Sequence, residues 1–242
     1  AGSPDLLIAA RYESKSFSVV SQAGTVEDVE FKTEGTKMYV IGQTSDAVFE
    51  YDLSTAWDVS TASYNSVSFS VSSQETLPRS VRFKSDGTRM FVVGPSSDAV
   101  YQYDLSTAWD VSSASYNSVS FSVSSQEGTP NGMCFSADGT YMYITGQSGD
   151  DINQYSLTTA WDISTASFDS KTLDVSSEET APEEVAISSD GTQIFILGVT
   201  SDAVHQYTLS TPYDVSTGTF TRTFTGLQAT NPAGLAFKPD GT

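Results

Sequence analysis

The chain of 242 residues predicts an all-β fold built from repeated four-stranded units, and three observations carry that prediction. The first is a repeat. FKTEGTKMYV begins at Phe31, FKSDGTRMFV at Phe83, FSADGTYMYI at Phe135 and ISSDGTQIFI at Ile187, each 52 residues after the last, and FKPDGT follows at Phe237, 50 residues on. The second is periodicity: apolar and polar residues alternate along segments such as 80–85 and 116–124, and no window carries a helical pattern. The third is composition, with charged residues at only 17% and Ser, Thr and Gly abundant, as turn-rich β proteins require. A four-stranded sheet cannot bury both faces alone. Repeated radially, each twisted sheet packs on its neighbours around an axis, which is a β-propeller; a solenoid, the rival, has shorter coils.

The second unit shows each element in order. Residues 80–85 (SVRFKS) alternate, with Val81 and Phe83 on one face. The turn Asp86-Gly87-Thr88 reverses the chain, since Gly tolerates the positive φ of a tight hairpin. Residues 89–94 (RMFVVG) are apolar and β-branched, as suits a strand buried on both faces. A polar turn at Ser96, Ser97 and Asp98 leads into a third strand at 99–105 (AVYQYDL). The loop Ser106 to Ser113 carries Trp109 and leads into the fourth strand at 116–124 (YNSVSFSVS), which alternates strictly.

The repeats run over about 12–61, 62–113, 114–165 and 166–217, with a partial one at 218–242, so the whole of 1–242 reads as one propeller domain. Residues 12–21 (YESKSFSVVS) match the fourth strand at 64–73, and a fifth first strand falls near 234–238. The expectation is therefore a five-bladed ring with an incomplete last blade, closed by an N-terminal strand clasp in which 14–20 pair as the outer strand of the blade begun by 234–238. A larger ring, or a blade completed by another subunit, is the alternative.

Lys and Arg number 11 against 30 Asp and Glu, a net charge of −19, which argues against nucleic acid and against docking on anionic membrane. No run is long enough for a spanning helix. The single cysteine, Cys134, excludes an internal disulfide, and it reads as a small buried hydrophobe. The single histidine, His205, sits on a third strand away from the axis and reads as an ordinary half-exposed residue. The first strands place Glu30, Arg82, Cys134, Ala186 and Ala236 at equivalent axial positions. One acid, one base and three small groups do not make a metal cage, so no cofactor, metal or catalytic residue is expected.

Two sets of positions remain as ligand-binding candidates. Trp57, Trp109, Trp161 and Tyr213 precede Asp58, Asp110, Asp162 and Asp214 in the third-to-fourth-strand loops. Such aromatics either wedge between blades or offer stacking platforms to sugars, while the following Asp caps local N–H groups. Asp46, Asp98, Asp150 and Asp202 read as turn residues, as do Asp86, Asp138, Asp190 and Asp240 in the Asp–Gly turns, where Glu34 stands in the first unit. Only Asp150 with Asp151 forms a doublet, a weak calcium candidate. On the opposite face, after the link prolines, near-identical units diverge: Glu27, Arg79, Asn131, Glu183. Divergence at a channel mouth is either drift or the place where a ligand is read, with Arg79 and Asn131 as the leading contacts.

The order F-x-x-DGT-x-MYV-x-G…DAV-x-x-YDLST resembles the YVTN-type and WD-repeat-like propeller blade, over nearly the whole chain. The near-identical YDLSTAWDVSTASY units resemble more closely the highly repetitive propellers of bacteriophages and aquatic bacteria. That resemblance implies a non-catalytic display or attachment module of a virion or cell surface, of the tail-fibre, tail-tip or capsid-surface type. Its partners would be surface glycans or neighbouring structural proteins, without nucleic acid or membrane insertion, with homo-oligomers open. A lectin-like domain of a bacterial surface protein is the alternative. A lactonase-type enzyme, which would hold calcium at the axis through Glu, Asn and Asp or use histidines as base, is placed last for want of those ligands.

Overall fold

A computed structural model describes residues 10–238. Sixteen strands form four separate antiparallel sheets, each a simple meander. The first sheet is β1 (Val26–Phe31), β2 (Lys37–Gly42), β3 (Ala47–Leu53) and β4 (Ala62–Ser70). The second is β5 (Ser80–Phe83), β6 (Arg89–Gly94), β7 (Ala99–Leu105) and β8 (Ala114–Ser122). The third is β9 (Pro130–Phe135), β10 (Tyr141–Gly146), β11 (Asp151–Leu157) and β12 (Ala166–Asp174). The fourth is β13 (Pro182–Ile187), β14 (Gln193–Gly198), β15 (Ala203–Leu209) and β16 (Gly218–Phe224). First strands of successive sheets lie side by side: a Cβ added to Gly132 in β9 would stand 2.7 Å from Glu184 Cα in β13. The first strands therefore line an axis and the fourth strands face outward, with exposure alternating along β4 and β8.

The Asp–Gly turn has two reasons for its glycine. Gly87 has φ +74°, and the indole of Trp109 lies where a Cβ would project, 2.3 Å away. Asp86 Oδ1 accepts from Thr88 N and Oγ1 at 3.0 and 2.6 Å, which fixes the hairpin. The other hairpin of each blade is fixed by a buried carboxylate. Glu75, fully buried, accepts from Leu77 N at 2.9 Å, Ser96 N at 3.2 Å and Ser97 Oγ at 2.7 Å; Glu127 and Glu179 repeat the arrangement. Ala23 holds the corresponding position at the end of a single helical turn, α1 (Val20–Ala23).

Apolar side chains fill the space between sheets. Phe83 packs on Tyr39 of the preceding blade (centroids 4.4 Å apart) and on Trp109 (5.4 Å), and Phe135 packs on Phe91 (4.7 Å) and Trp161 (5.1 Å). Phe83 is buried as expected, whereas Phe31, Phe135 and Ile187 are half-buried. Phe83→Ala should cost ~3–5 kcal/mol by urea unfolding, because a buried ring is removed from a packed interface. A loss under about 1 kcal/mol would show that this contact does not hold the blades together.

The expected five-bladed ring with a strand clasp is corrected to four blades. Residues 12–19 and 232–238 form no strand. An inner and an outer strand cannot pair with each other across the width of a blade, because ladder partners must lie ~4.8 Å apart. The inner segment nevertheless keeps its place in the ring: Phe237 packs on Phe195 at 4.7 Å, and a Cβ on Gly234 would stand 2.8 Å from Val29 N. Asp240, assigned to a fifth Asp–Gly turn, lies outside the described residues.

Candidate active site

The five axial positions do converge. Glu30, Arg82, Cys134, Ala186 and Ala236 line one cavity of about 210 Å³, whose walls include Phe83, Phe135, Ile187, Phe237 and Trp161. Its polar wall is a charge cluster. Arg82, 8% exposed, places NH1 2.5 Å from Asp28 Oδ2, NH2 2.9 Å from Glu184 Oε2 and Nε 3.4 Å from Glu30 Oε2. Asp28 also accepts from Ser80 Oγ and Val81 N, both at 3.0 Å, and Glu184 Oε1 accepts from Met133 N at 3.1 Å and Val185 N at 2.8 Å. These bonds cross from one blade to the next, so the cluster ties all four first strands together.

Burial raises the Glu30 carboxyl to about 7, against the pull of Arg82, and the neighbouring Asp28 charge adds to the rise. Burial likewise raises Glu184 well above the ordinary range, with Arg82 opposing. Burial also pushes the Cys134 thiol up, so this cysteine presents a neutral thiol to the cavity. Glu30 retains the largest exposure among the four charged groups, 24%, and it is the acid that opens onto the cavity.

The donor set does not fit a calcium ion. Three carboxylates converge, but the Arg82 guanidinium occupies the place where their charge focuses. No group of three or more His, Cys, Asp or Glu among the described residues is placed to hold an ion.

The divergent mouth residues lie outside this cavity. Arg79 NH1 pairs with Glu27 Oε2 at 2.6 Å, so the arginine meets an acid of the neighbouring unit. Burial raises Glu27 even so, with Arg79 opposing. Asn131 is buried and its Nδ2 donates to the Pro182 carbonyl at 3.3 Å. Glu183 accepts from Gln147 Nε2 at 2.8 Å, and burial raises it to about 7, with Arg79 opposing and Glu27 reinforcing.

The loop aromatics sit against the Asp–Gly turns. Trp57, Trp109, Trp161 and Tyr213 all have φ between 62° and 64° and donate their backbone N–H to the turn glycine's carbonyl. Trp109 and Trp161 are 9% exposed and wedge between blades, and Trp161 also lines the cavity. The Asp that follows each caps a short 3₁₀ turn. His205 is buried rather than half-exposed, with Nε2 2.9 Å from Ser201 Oγ and Nδ1 3.0 Å from Thr223 Oγ1. Burial lowers its pKa.

Asp28 and Glu184 were missed from sequence. Their signal was there: the position after the divergent one reads Asp28, Ser80, Gly132, Glu184, Gly234, and two of these are acids where the other units carry only Ser or Gly.

An all-β ring of four-stranded meander sheets whose first strands line an axis is the architecture of a β-propeller. The family model described as lactonase, seven-bladed β-propeller, matches residues 28–237, and the chain belongs to that family. A putative 6-phosphogluconolactonase from Bacteroides fragilis superposes with TM-score 0.55 at 13% identity, covering 86% of this chain and 56% of that one. A Lactobacillus plantarum protein does so with TM-score 0.55 at 15% identity, covering 86% and 57%. The Pseudomonas aeruginosa periplasmic gluconolactonase PpgL gives TM-score 0.50 at 16% identity, covering 85% and 54%. The chain thus spans little more than half the length of these structures, and at such identities the likeness is one of fold. No curated protein matches the chain.

Membership in this family overturns the expectation of a non-catalytic display module of phage or virion type, and with it the reading that the protein is no enzyme. The lactonase type, placed last there, is the one the family model names, although the donor set on the axis does not fit the calcium ion expected of it. No helix among the described residues is long and apolar enough to cross a membrane.

Proposed function

We propose that this protein hydrolyses the lactone of a sugar acid in the axial cavity. Besides the family, the observation that supports this reading is Glu30: a carboxyl at about 7, open to the cavity and 3.4 Å from an arginine. A base with that pKa is substantially ionised at neutral pH and still accepts a proton readily. Water beside Glu30 attacks the lactone carbonyl carbon and passes its proton to the carboxylate. As the acyl C–O bond breaks, the proton returns to the ring oxygen, which leaves as a hydroxyl. Arg82 lines the same cavity and offers positive charge where the carbonyl oxygen becomes negative. Phe83, Phe135 and Phe237 supply an apolar wall that limits water.

Charge selects among lactones. Arg82, the one cation in the cavity lining, already faces the carboxyl groups of Asp28, Glu30 and Glu184, so no positive charge is left over to hold a phosphate and a neutral substrate is favoured over a phosphorylated one. Of the two activities named for the similar structures, gluconolactone hydrolysis fits better than that of its 6-phosphate. The periplasmic neighbour suits an extracytoplasmic location for this chain.

Comparing δ-gluconolactone and its 6-phosphate in a pH-stat at pH 6.5 tests both points. The expected result is kcat/KM at least ~10-fold higher for the neutral lactone, about 1.4 kcal/mol of discrimination. No acceleration of either over buffer would overturn the activity, and a preference for the phosphate would overturn the charge argument.

A further inference from the structure

Arg82 divides its contacts unequally among the acids around it. NH1 donates to Asp28 Oδ2 at 2.5 Å and to the Val81 carbonyl at 2.7 Å, and NH2 lies 2.9 Å from Glu184 Oε2. Both terminal nitrogens are thereby occupied. Glu30 meets only Nε, at 3.4 Å, well outside the ~2.7–2.9 Å of a close charged hydrogen bond. A carboxylate and a guanidinium pair most strongly through two nitrogens at once, and Glu30 does not have two within reach. Arg82 and Glu30 line the axial cavity, whereas Asp28 and Glu184 are not part of its wall.

The two acids that take the terminal nitrogens are themselves fixed. Asp28 is fully buried; its Oδ1 accepts from Val29 N at 2.7 Å, and its Oδ2 accepts from Ser80 Oγ and Val81 N at 3.0 Å. Glu184 is equally buried and is tied through Oε1 to Met133 N and Val185 N. Neither can follow the guanidinium if it moves. The guanidinium stays where they hold it.

We infer that Asp28 and Glu184 are positioning residues for the hydrolysis proposed above: they pin Arg82 by its terminal nitrogens, which keeps Glu30 from closing an ion pair with it and leaves the Glu30 carboxylate free to take a proton from water. The inference rests on that reading of the site. A carboxylate locked against arginine binds a proton less readily and is a weaker base. The other titratable groups facing Glu30 do not supply this control. Tyr39, opposite Glu30 on β2, and Cys134 on β9 are both pushed up by burial and stay neutral around pH 7.

Two variants separate charge from position. Burial, Arg82, Asp28 and the Phe31 N–H set the Glu30 carboxyl, so Glu184 reaches it only through Arg82. Asp28→Asn removes a charge that raises Glu30 and also releases NH1, and both changes lower its proton affinity. Glu184→Gln changes only the hold on NH2. Carbon-13 NMR of the glutamate carboxyls, with Glu30 assigned by its missing signal in Glu30→Gln, follows the titration without substrate. The midpoint, about 7 in the parent, should fall by roughly one pH unit in Asp28→Asn and by roughly half of that in Glu184→Gln. In the lactone assay kcat of Asp28→Asn should fall ~10-fold with KM within about twofold, and its pH profile should move with the NMR midpoint. A midpoint that stays put in both variants, or rises, would overturn the positioning role. NMR shifts as expected in a protein that hydrolyses no lactone would overturn the proposed activity while leaving the hold on Arg82 intact. If neither variant folds, the parent decides: the Arg82 NH1 and NH2 nitrogens should give separate nitrogen-15 signals on both sides of pH 7. Signals that merge once Glu30 is protonated would show that Glu30 holds the guanidinium, and the inference would fall.

Discussion

Glu30→Gln should lower kcat for lactone hydrolysis by ~10²–10⁴-fold, the range by which a positioned general base accelerates such a step. The amide keeps the size and a hydrogen-bonding end but takes up no proton. Its pH dependence separates a base from a merely structural residue. Burial first, and the Asp28 charge second, hold Glu30 at about 7 against Arg82, so the ionised form grows as pH rises through 7. Activity of the parent protein should climb through that range and level off, after subtraction of the uncatalysed rate. The variant should show no such step. A variant retaining more than about a tenth of the parent rate would remove Glu30 from the mechanism.

The sequence carried the repeated parts of this molecule and little of what is particular to it. The Asp–Gly turn at Gly87, the strand at 89–94 and the alternating outer strand are local patterns stated four times over, and each appears where the repeat places it. Glu30 and Arg82 were correctly assigned to the axis by the same register. Their meaning was lost because comparison at a single register position showed one acid and one base. The cluster forms only when Asp28, Glu30, Arg82 and Glu184 are brought together from three strands, 52 to 156 residues apart in repeat spacing. Ring closure failed for a similar reason. The SFSV motif at Ser16 marks a register place correctly, as the Phe17–Tyr51 contact shows. A place is not a strand, however, because a strand requires partners on its edge.

Arg82→Leu should destabilise the fold by ~3–5 kcal/mol, since removing one partner leaves the buried charges uncompensated. Asp28 is fully buried and Glu184 nearly so, and each leans on the guanidinium. The loss should depend on pH in a defined direction. A carboxyl whose folded pKa lies above its unfolded value near 4.5 stabilises fully below that value and loses its contribution as pH rises through the folded pKa. In the parent protein Glu30 and Glu183, both at about 7, give such a decline between pH 4.5 and 7. Without Arg82 the opposing pull on Glu30 and Glu184 disappears, so their protonated forms are favoured further and the decline extends to higher pH. Urea unfolding at pH 5 and pH 8 should therefore find the variant's deficit smaller at pH 5. A deficit equal at both values would mean that packing of the Arg82 stem, and not its charge, accounts for the loss.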